Sequence, residues 1–273
     1  MYAERVTALY FSPTGATARA AETVAEALAE HMGLPVEKRS FTRPAERERD
    51  YHFTAADIVV VASPTYAGKL PNKIVPDFRA KFRGNGAVAI PMVTFGNRAY
   101  ENSLAELIAL LTENGFRVAA AGAFVCRHAF TDELAYGRPG WSDGFEMKTF
   151  AKKTADKIKK TEGTFLPLSI PGDAAAPYYV PKGADGQPVM FLKAKPKTHL
   201  NRCNRCGACV RACPMAAIDP KDPSKVPGTC IKCHSCVRKC TKQAKYFDDP
   251  AFLSHVAMLE RDCAEPKDNE MFL

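Results

Sequence analysis

Short, nearly uninterrupted apolar runs alternate with segments of helical periodicity over residues 1–162. That rhythm predicts a parallel sheet covered by helices on both faces. Val6 to Phe11 reads as the first strand, and further strands are expected at Val36 to Phe41, Asp57 to Ala62, Ala87 to Thr94 and Arg117 to Cys126. Ala21, Val24, Ala25, Leu28 and Met32 share one face of a helix expected over Ala16 to Met32, with Gly33 as its stop. Another helix is expected from Leu104 to Asn114, where Ser103 and Glu106 have capping-box spacing and Gly115 follows. A last one is expected from Asp143 to Thr161. Five strands in this order fit an α/β doubly wound sheet.

The pattern then breaks. Residues 163–198 carry Pro167, Pro171, Pro177, Pro181, Pro188 and Pro196, with Gly163, Gly172, Gly183 and Gly186 among them, and read as a connector with little regular helix. Val189 to Leu192 is expected to add a short strand against the segment that follows. Residues 199–250 are expected to form a second, small α+β domain, leaving 251–273 as a C-terminal segment with no assigned role.

That second domain holds eight of the ten cysteines, and it writes one spacing twice. Cys203-x2-Cys206-x2-Cys209-x3-Cys213 is followed by Cys230-x2-Cys233-x2-Cys236-x3-Cys240. This is the spacing of bacterial-type proteins holding two 4Fe-4S clusters, because three closely spaced thiolates wrap one corner of a cubane and a fourth arrives from elsewhere. Zinc is the competing ligand, but zinc sites usually separate two cysteine pairs by a dozen residues or more, so the pattern favours iron and sulfur. In two-cluster ferredoxins the last cysteine of each run crosses to the other cluster. That resemblance implies Cys203, Cys206, Cys209 and Cys240 on one cluster, with Cys230, Cys233, Cys236 and Cys213 on the second. Pro214 follows Cys213 as the bacterial pattern expects, whereas Thr241 follows Cys240. Cys126, in a buried-strand run, is expected to be a packed, inert thiol, and Cys263 has no role assigned.

The net charge of +8 gathers around these cysteines: Lys193 to Lys245 contains thirteen basic residues against Asp219 and Asp222. Such a surface stabilises a reduced, more negative cluster and attracts an acidic redox partner. Nucleic acid is disfavoured, since few aromatics accompany the basic residues. The start of the chain shows no secretory pattern, and the longest aliphatic stretch, Ile58 to Ala62, is far too short to span a bilayer, so a cytoplasmic location, with low oxygen, is expected.

Three loops fall at one edge of the expected sheet. Ser12-Pro13-Thr14-Gly15-Ala16-Thr17 opens directly into a helix, where backbone amides and hydroxyls can hold a phosphate without a lysine. Ser63-Pro64-Thr65-Tyr66-Ala67-Gly68 and Thr94-Phe95-Gly96-Asn97-Arg98-Ala99-Tyr100 follow the third and fourth strands, and ligands of doubly wound sheets bind beyond these carboxyl ends. On these residues the first part of the chain resembles the flavodoxin family. The resemblance implies that Ser12, Thr14, Gly15, Ala16 and Thr17 hold the phosphate of FMN. Thr65, Tyr66, Ala67 and Gly68 would contact one side of the flavin, and Phe95, Gly96, Asn97 and Tyr100 the other, with Tyr66 and Tyr100 as stacking rings. Pro13 lacks an amide and Ala16 a polar side chain, both departures from the family pattern.

The whole chain resembles the flavodoxin-ferredoxin fusion proteins of anaerobic microbes. It implies an electron-transfer flavoprotein relaying between FMN, two 4Fe-4S clusters and a partner. A terminal flavin-dependent reductase acting on a quinone, nitro compound or oxygen is the alternative. No Ser-His-Asp or paired-carboxylate arrangement is visible, and His234, although inside the second cysteine run, reads as a loop residue.

Overall fold

In the computed structural model, which describes residues 2–161 and 164–273, Gly163 of the connector lies outside the described residues, as do Met1 and Glu162. The central strands are β1 (Arg5–Tyr10), β2 (Val36–Ser40), β3 (Asp57–Pro64), β4 (Val88–Phe95) and β5 (Ala121–Val125). They pair in parallel in the order β2-β1-β3-β4-β5. This is the flavodoxin-like order, with its switch point between β1 and β3.

Both faces of the sheet are buried. Val6, Ala8, Ile58, Val60, Ile90 and Met92 point to one side, which is covered by α1 (Ala16–Met32) and by α3 (Trp141–Lys160) through Met147, Phe150 and Ala151. Leu9, Phe11, Val59, Val61 and Val93 point to the other, beneath α2 (Ser103–Glu113) and a short helix at Val75–Lys81. There Phe41, Tyr51, Phe78 and Phe82 pack with ring centroids 4.7 to 5.7 Å apart. Strands buried on both faces must be apolar at consecutive positions, which is why period-two alternation is absent from the sequence.

Several sequence expectations are corrected. The run Arg117 to Cys126 is split into a two-residue strand at Arg117–Val118 and β5, because the Ala119 carbonyl turns to accept a hydrogen bond from Lys157 at 2.8 Å. The capping box does not form. Asn102 precedes the first turn of α2; the Ser103 hydroxyl donates to the Tyr100 carbonyl, and the Glu106 carboxylate accepts from the Leu70 amide at 2.8 Å. Long-range partners outcompete the local cap. No strand forms at Val189 to Leu192, since the Val189 amide is spent on the Pro181 carbonyl within the connector. The two-stranded ladder instead joins β6 (Lys197–Thr198) to β7 (Lys245–Tyr246), around the short helices α4 (Ala208–Ala212) and α5 (Ser235–Arg238). No helix among the described residues is long and apolar enough to cross a membrane.

The C-terminal segment has a structural role that the sequence left blank. It forms α6 (Pro250–Asp262), capped by the Asp249 carboxylate on the Phe252 amide, and β8 (Glu270–Phe272), which pairs antiparallel with β5 and closes that sheet edge. Asn269 locks it in place, accepting from the Val125 amide at 2.8 Å and donating to Asp143 at 2.9 Å and Glu146 at 2.6 Å.

Burial works against the charge on Asp143, yet hydrogen bonds from Arg138, the Gly140 amide and Asn269 hold its carboxyl below the usual carboxylate range. The stability it contributes is complete above the ordinary carboxylate pKa and is lost as pH falls through the depressed folded value. Asn269→Ala is therefore expected to cost about 1–2 kcal/mol in urea unfolding at neutral pH. The gap from wild type should narrow below about pH 4. An equal gap at neutral and acid pH would show that Asp143 takes no part.

Candidate functional site

At the carboxyl edge, Gly15 precedes α1 in the left-handed region at φ 97°, turning the first loop so that the amides of Gly15, Ala16 and Thr17 make no hydrogen bond among the described residues. The Ser12 hydroxyl already accepts from the Ala18 amide at 2.9 Å, and the buried Thr17 hydroxyl pairs with that of Thr94 at 2.7 Å. Free amides at the start of a 17-residue helix form an anion cradle. The guanidinium of Arg19 stands beside Gly15. The amides of Gly15, Ala16 and Thr17 thus line the cradle, while the hydroxyls of Ser12 and Thr17 brace it and Thr14 stands next to it in the loop.

The second loop turns through Ala67 and Gly68, both at positive φ, and closes with reciprocal backbone hydrogen bonds between Tyr66 and Lys69. The Thr65 hydroxyl pairs with that of Ser103 at 2.7 Å. Tyr66 lies beside Cys233 and Cys230; burial first, and then those two sulfurs, push its hydroxyl pKa well up.

The third loop departs from expectation. Tyr100 is not an open stacking face: it is 5% exposed, tilted against Phe95 at 5.4 Å, and donates to Glu270 at 2.6 Å. Phe95 is buried with it, and Gly96 is backed closely by His128. The Asn97 side chain donates to the carbonyls of Cys263 and Glu265 and accepts from the Lys267 amide. Phe95, Asn97 and Tyr100 therefore face the core and the C-terminal segment, because that segment folds back over the third loop. The connector lies along the second loop: Tyr179 donates its amide to the Ala67 carbonyl, and Lys69 donates to the carbonyls of Ala174 and Ala176.

The two cysteine runs are offset by 27 residues, and the backbone repeats with them. Arg205 and Lys232, Gly207 and His234, and Ala216 and Gln243 are matched pairs at positive φ. Ala217 directs its amide at the Cys213 sulfur (3.3 Å) as Ala244 does at that of Cys240 (3.2 Å), and the Lys232 amide does the same to Cys230 (3.4 Å). Among the described residues no group of three or more His, Cys, Asp or Glu side chains is placed to hold a single metal ion. The sulfurs instead ring two cavities. The inner one is lined by Cys213, Cys230, Cys233 and Cys236 with Ile218 and Phe247; the outer by Cys203, Cys206, Cys209 and Cys240 with Arg205 and Lys245.

The two differ in their most open cysteine. Cys233 and Cys236 of the inner set and Cys209 of the outer are each 8% exposed, but Cys206 of the outer set is open to solvent, whereas no cysteine of the inner set is. Burial pushes the Cys236 thiol up to about 12, with the neighbouring Cys230 adding to it. Cys126 is buried and likewise pushed up to about 12, as an inert packed thiol would be, and Cys263 caps the end of α6.

The inner set sits directly on the first loop. The Ser235 hydroxyl is 2.6 Å from the Pro13 carbonyl, fully buried, and Arg47 donates to the Pro214 carbonyl at 2.7 Å. Arg238 donates to the carbonyls of His128, Ala129 and Thr131 and pairs with Asp132. His234 lies, as expected, in the loop that leads into α5, but its ring is packed: it stacks on Phe247 at 4.5 Å and 6°, with Phe130 and Phe252 also against it. Burial, with Arg238 and His128 nearby, pushes its imidazole down to about 3, so it is neutral. Only the 27-residue repeat, which aligns His234 with Gly207, hinted that this position was special.

Residues 195–251 match the family model of the 4Fe-4S dicluster domain. The chain joins a flavodoxin-like fold to a 4Fe-4S dicluster domain. Among solved structures, a flavodoxin from the domain Archaea is 18% identical, with 57% of this chain and 99% of that one covered and a TM-score of 0.40. The rubredoxin oxygen:oxidoreductase of Desulfovibrio gigas is 20% identical over 58% of this chain and 37% of that one, with a TM-score of 0.38. A short-chain flavodoxin associated with a non-canonical PDU bacterial microcompartment is 16% identical over 59% and 99%, with a TM-score of 0.39. No curated protein matches the chain.

Removing the clamp between the dicluster domain and the flavodoxin-like fold tests its importance. Arg238→Met should raise amide hydrogen exchange across residues 128–132 at least tenfold, a loss of about 1.4 kcal/mol in local opening free energy. Unchanged exchange would mean that this loop holds its own shape.

Proposed function

We propose that this chain is an electron-transfer protein passing electrons among bound FMN, two 4Fe-4S clusters and a redox partner. The observation that carries the reading is the buried contact of Ser235, between Cys233 and Cys236, with Pro13 of the anion cradle: it seats the inner cysteine set against the expected flavin site. Residues 1–162 would form the FMN-binding domain, 163–198 the connector and 199–250 the cluster domain.

The residues present fit both groups. Four sulfurs around each cavity, with amides aimed at Cys213, Cys230 and Cys240, suit a cubane better than one tetrahedral zinc, whose ligands must converge within about 2.3 Å of a single ion. The cradle at Gly15, Ala16 and Thr17, beside Thr14 and with Arg19 next to it, suits the FMN phosphate, and Tyr66, Ala67 and Gly68 would contact the ring. Bound there, a flavin supplies two-electron storage released one electron at a time, and the clusters supply single-electron steps. Cys203, Cys206, Cys209 and Cys240 would hold the outer cluster and Cys213, Cys230, Cys233 and Cys236 the inner. The protein's own contribution is to hold these sites together, since tethering replaces a diffusional encounter.

The rim of the outer cavity favours a carrier over a terminal reductase. Arg205 and Lys242 line it with Cys206, Arg202 and Lys239 adjoin Cys203 and Cys240 in the chain, and all four are exposed and make no ion pair with an acidic side chain among the described residues, a surface suited to an acidic protein partner.

Anaerobically purified protein is expected to contain about eight iron atoms and one FMN per chain. Cys233→Ser and Cys206→Ser should each bring the iron content to about half; zinc in place of iron, or no flavin, would refute the relay. Rapid saturable oxidation by a small quinone or nitro compound, with no response to acidic carrier proteins, would favour the reductase instead. Gly15→Val places a β-branched residue at φ 97° and should weaken FMN binding at least tenfold, read from flavin fluorescence on titration. An unchanged Kd would mean that the phosphate binds elsewhere.

A further inference from the structure

The 27-residue repeat that matches the two cysteine runs is broken at one buried position. Ala217 and Ala244 correspond, each directing its amide to the last cysteine of its run. The next residues are Ile218 and Lys245. Ile218 is 3% exposed and lines the inner cavity; Lys245 is also 3% exposed and lines the outer one. The Lys245 ammonium donates to the carbonyl of Pro223, another residue of the outer wall.

We propose that Lys245, opposed to Ile218, sets a built-in potential step that makes the outer cluster the easier of the two to reduce. The inference rests on the cluster reading above. A cluster gains one negative charge on reduction, and a buried cation beside it is little screened, so the charged form is favoured where the cation sits. Burial acts in the same direction, because the inner cysteines lie under Phe247 and the flavodoxin-like fold while Cys206 meets water. Other basic residues are placed differently. The partly buried Lys232 donates its ammonium to the carbonyls of Leu192 and Cys230 and does not line the inner cavity, its exposed counterpart Arg205 lines the outer one, and the Lys195 ammonium lies in solvent on the carbonyls of Val226 and Pro227. In the step itself one electron leaves the inner cluster as the outer gains it, with no bond or proton exchanged. Electrons would thus run from the sheet edge toward the exposed end, where a partner can dock.

The test is an EPR-monitored redox titration of the full chain, with iron and acid-labile sulfide measured on the same sample. A soluble lanthanide complex assigns the signals, since it relaxes the exposed outer cluster more strongly. In the wild type the outer cluster is expected to reduce first. In Lys245→Met its reduction should become at least tenfold harder, about 59 mV, with a smaller change at the inner cluster, while Lys245→Arg keeps the wild-type gap. Reduction of the inner cluster first, or equal shifts of both in Lys245→Met, would overturn the proposal. If Lys245→Met fails to load iron, the order of reduction in the wild type decides. A wild-type protein lacking iron would instead defeat the cluster reading.

Discussion

Arg238 and Ser235 lie three residues apart at the end of the second cysteine run, and their contacts pin that run to the carboxyl edge of the sheet. The guanidinium spans three backbone carbonyls and Asp132, while the Ser235 hydroxyl reaches the Pro13 carbonyl beneath. A charged group that satisfies several backbone acceptors at once is costly to displace, because each carbonyl would be left without its donor. The buried surroundings of Cys233 and Cys236, the position of Tyr66 beside them and the stack on His234 all follow from that seat. So does the solvent exposure of Cys206, which lies on the far side.

The dicluster domain is therefore symmetric in its backbone and asymmetric in its side chains. Positive φ at matched positions and amides aimed at matched sulfurs give two similar cavities from one repeated instruction. Ser235 of the second run meets the Pro13 carbonyl and Pro214 the Arg47 guanidinium, so among the described residues the inner cavity lies against the flavodoxin-like fold while Cys206 of the outer one is open to solvent. Where the first run has Gly207 the second has His234, stacked against Phe130 and Phe252, and where the first has Ile218 the second has Lys245, equally buried.

Local signals served well where one interaction dominates. The stripe from Ala21 to Met32 and the glycine after it specified α1 to the residue, since an amphipathic face and a left-handed stop leave no competing structure. The strands of the doubly wound sheet were legible for a similar reason, being apolar on both faces. Readings failed where distant partners intervened: Glu106 left its expected cap for Leu70, and the Val189 amide was taken by Pro181. Tyr100 became a core ring because Glu270, 170 residues away, accepts its hydroxyl. Nothing near residue 270 announces an edge strand, as a three-residue strand has too little length to carry a period.

By itself the sequence determined the sheet order's ingredients, the turn and free amides of the first loop and the repeated cysteine framework, because each depends on spacing along a few neighbouring residues. The tertiary structure alone decided which cysteine set lies against the flavodoxin-like fold, which segments cover the second and third loops and where the C-terminal segment lies. Those outcomes depend on which surfaces exclude water when distant segments meet, and no local pattern encodes that.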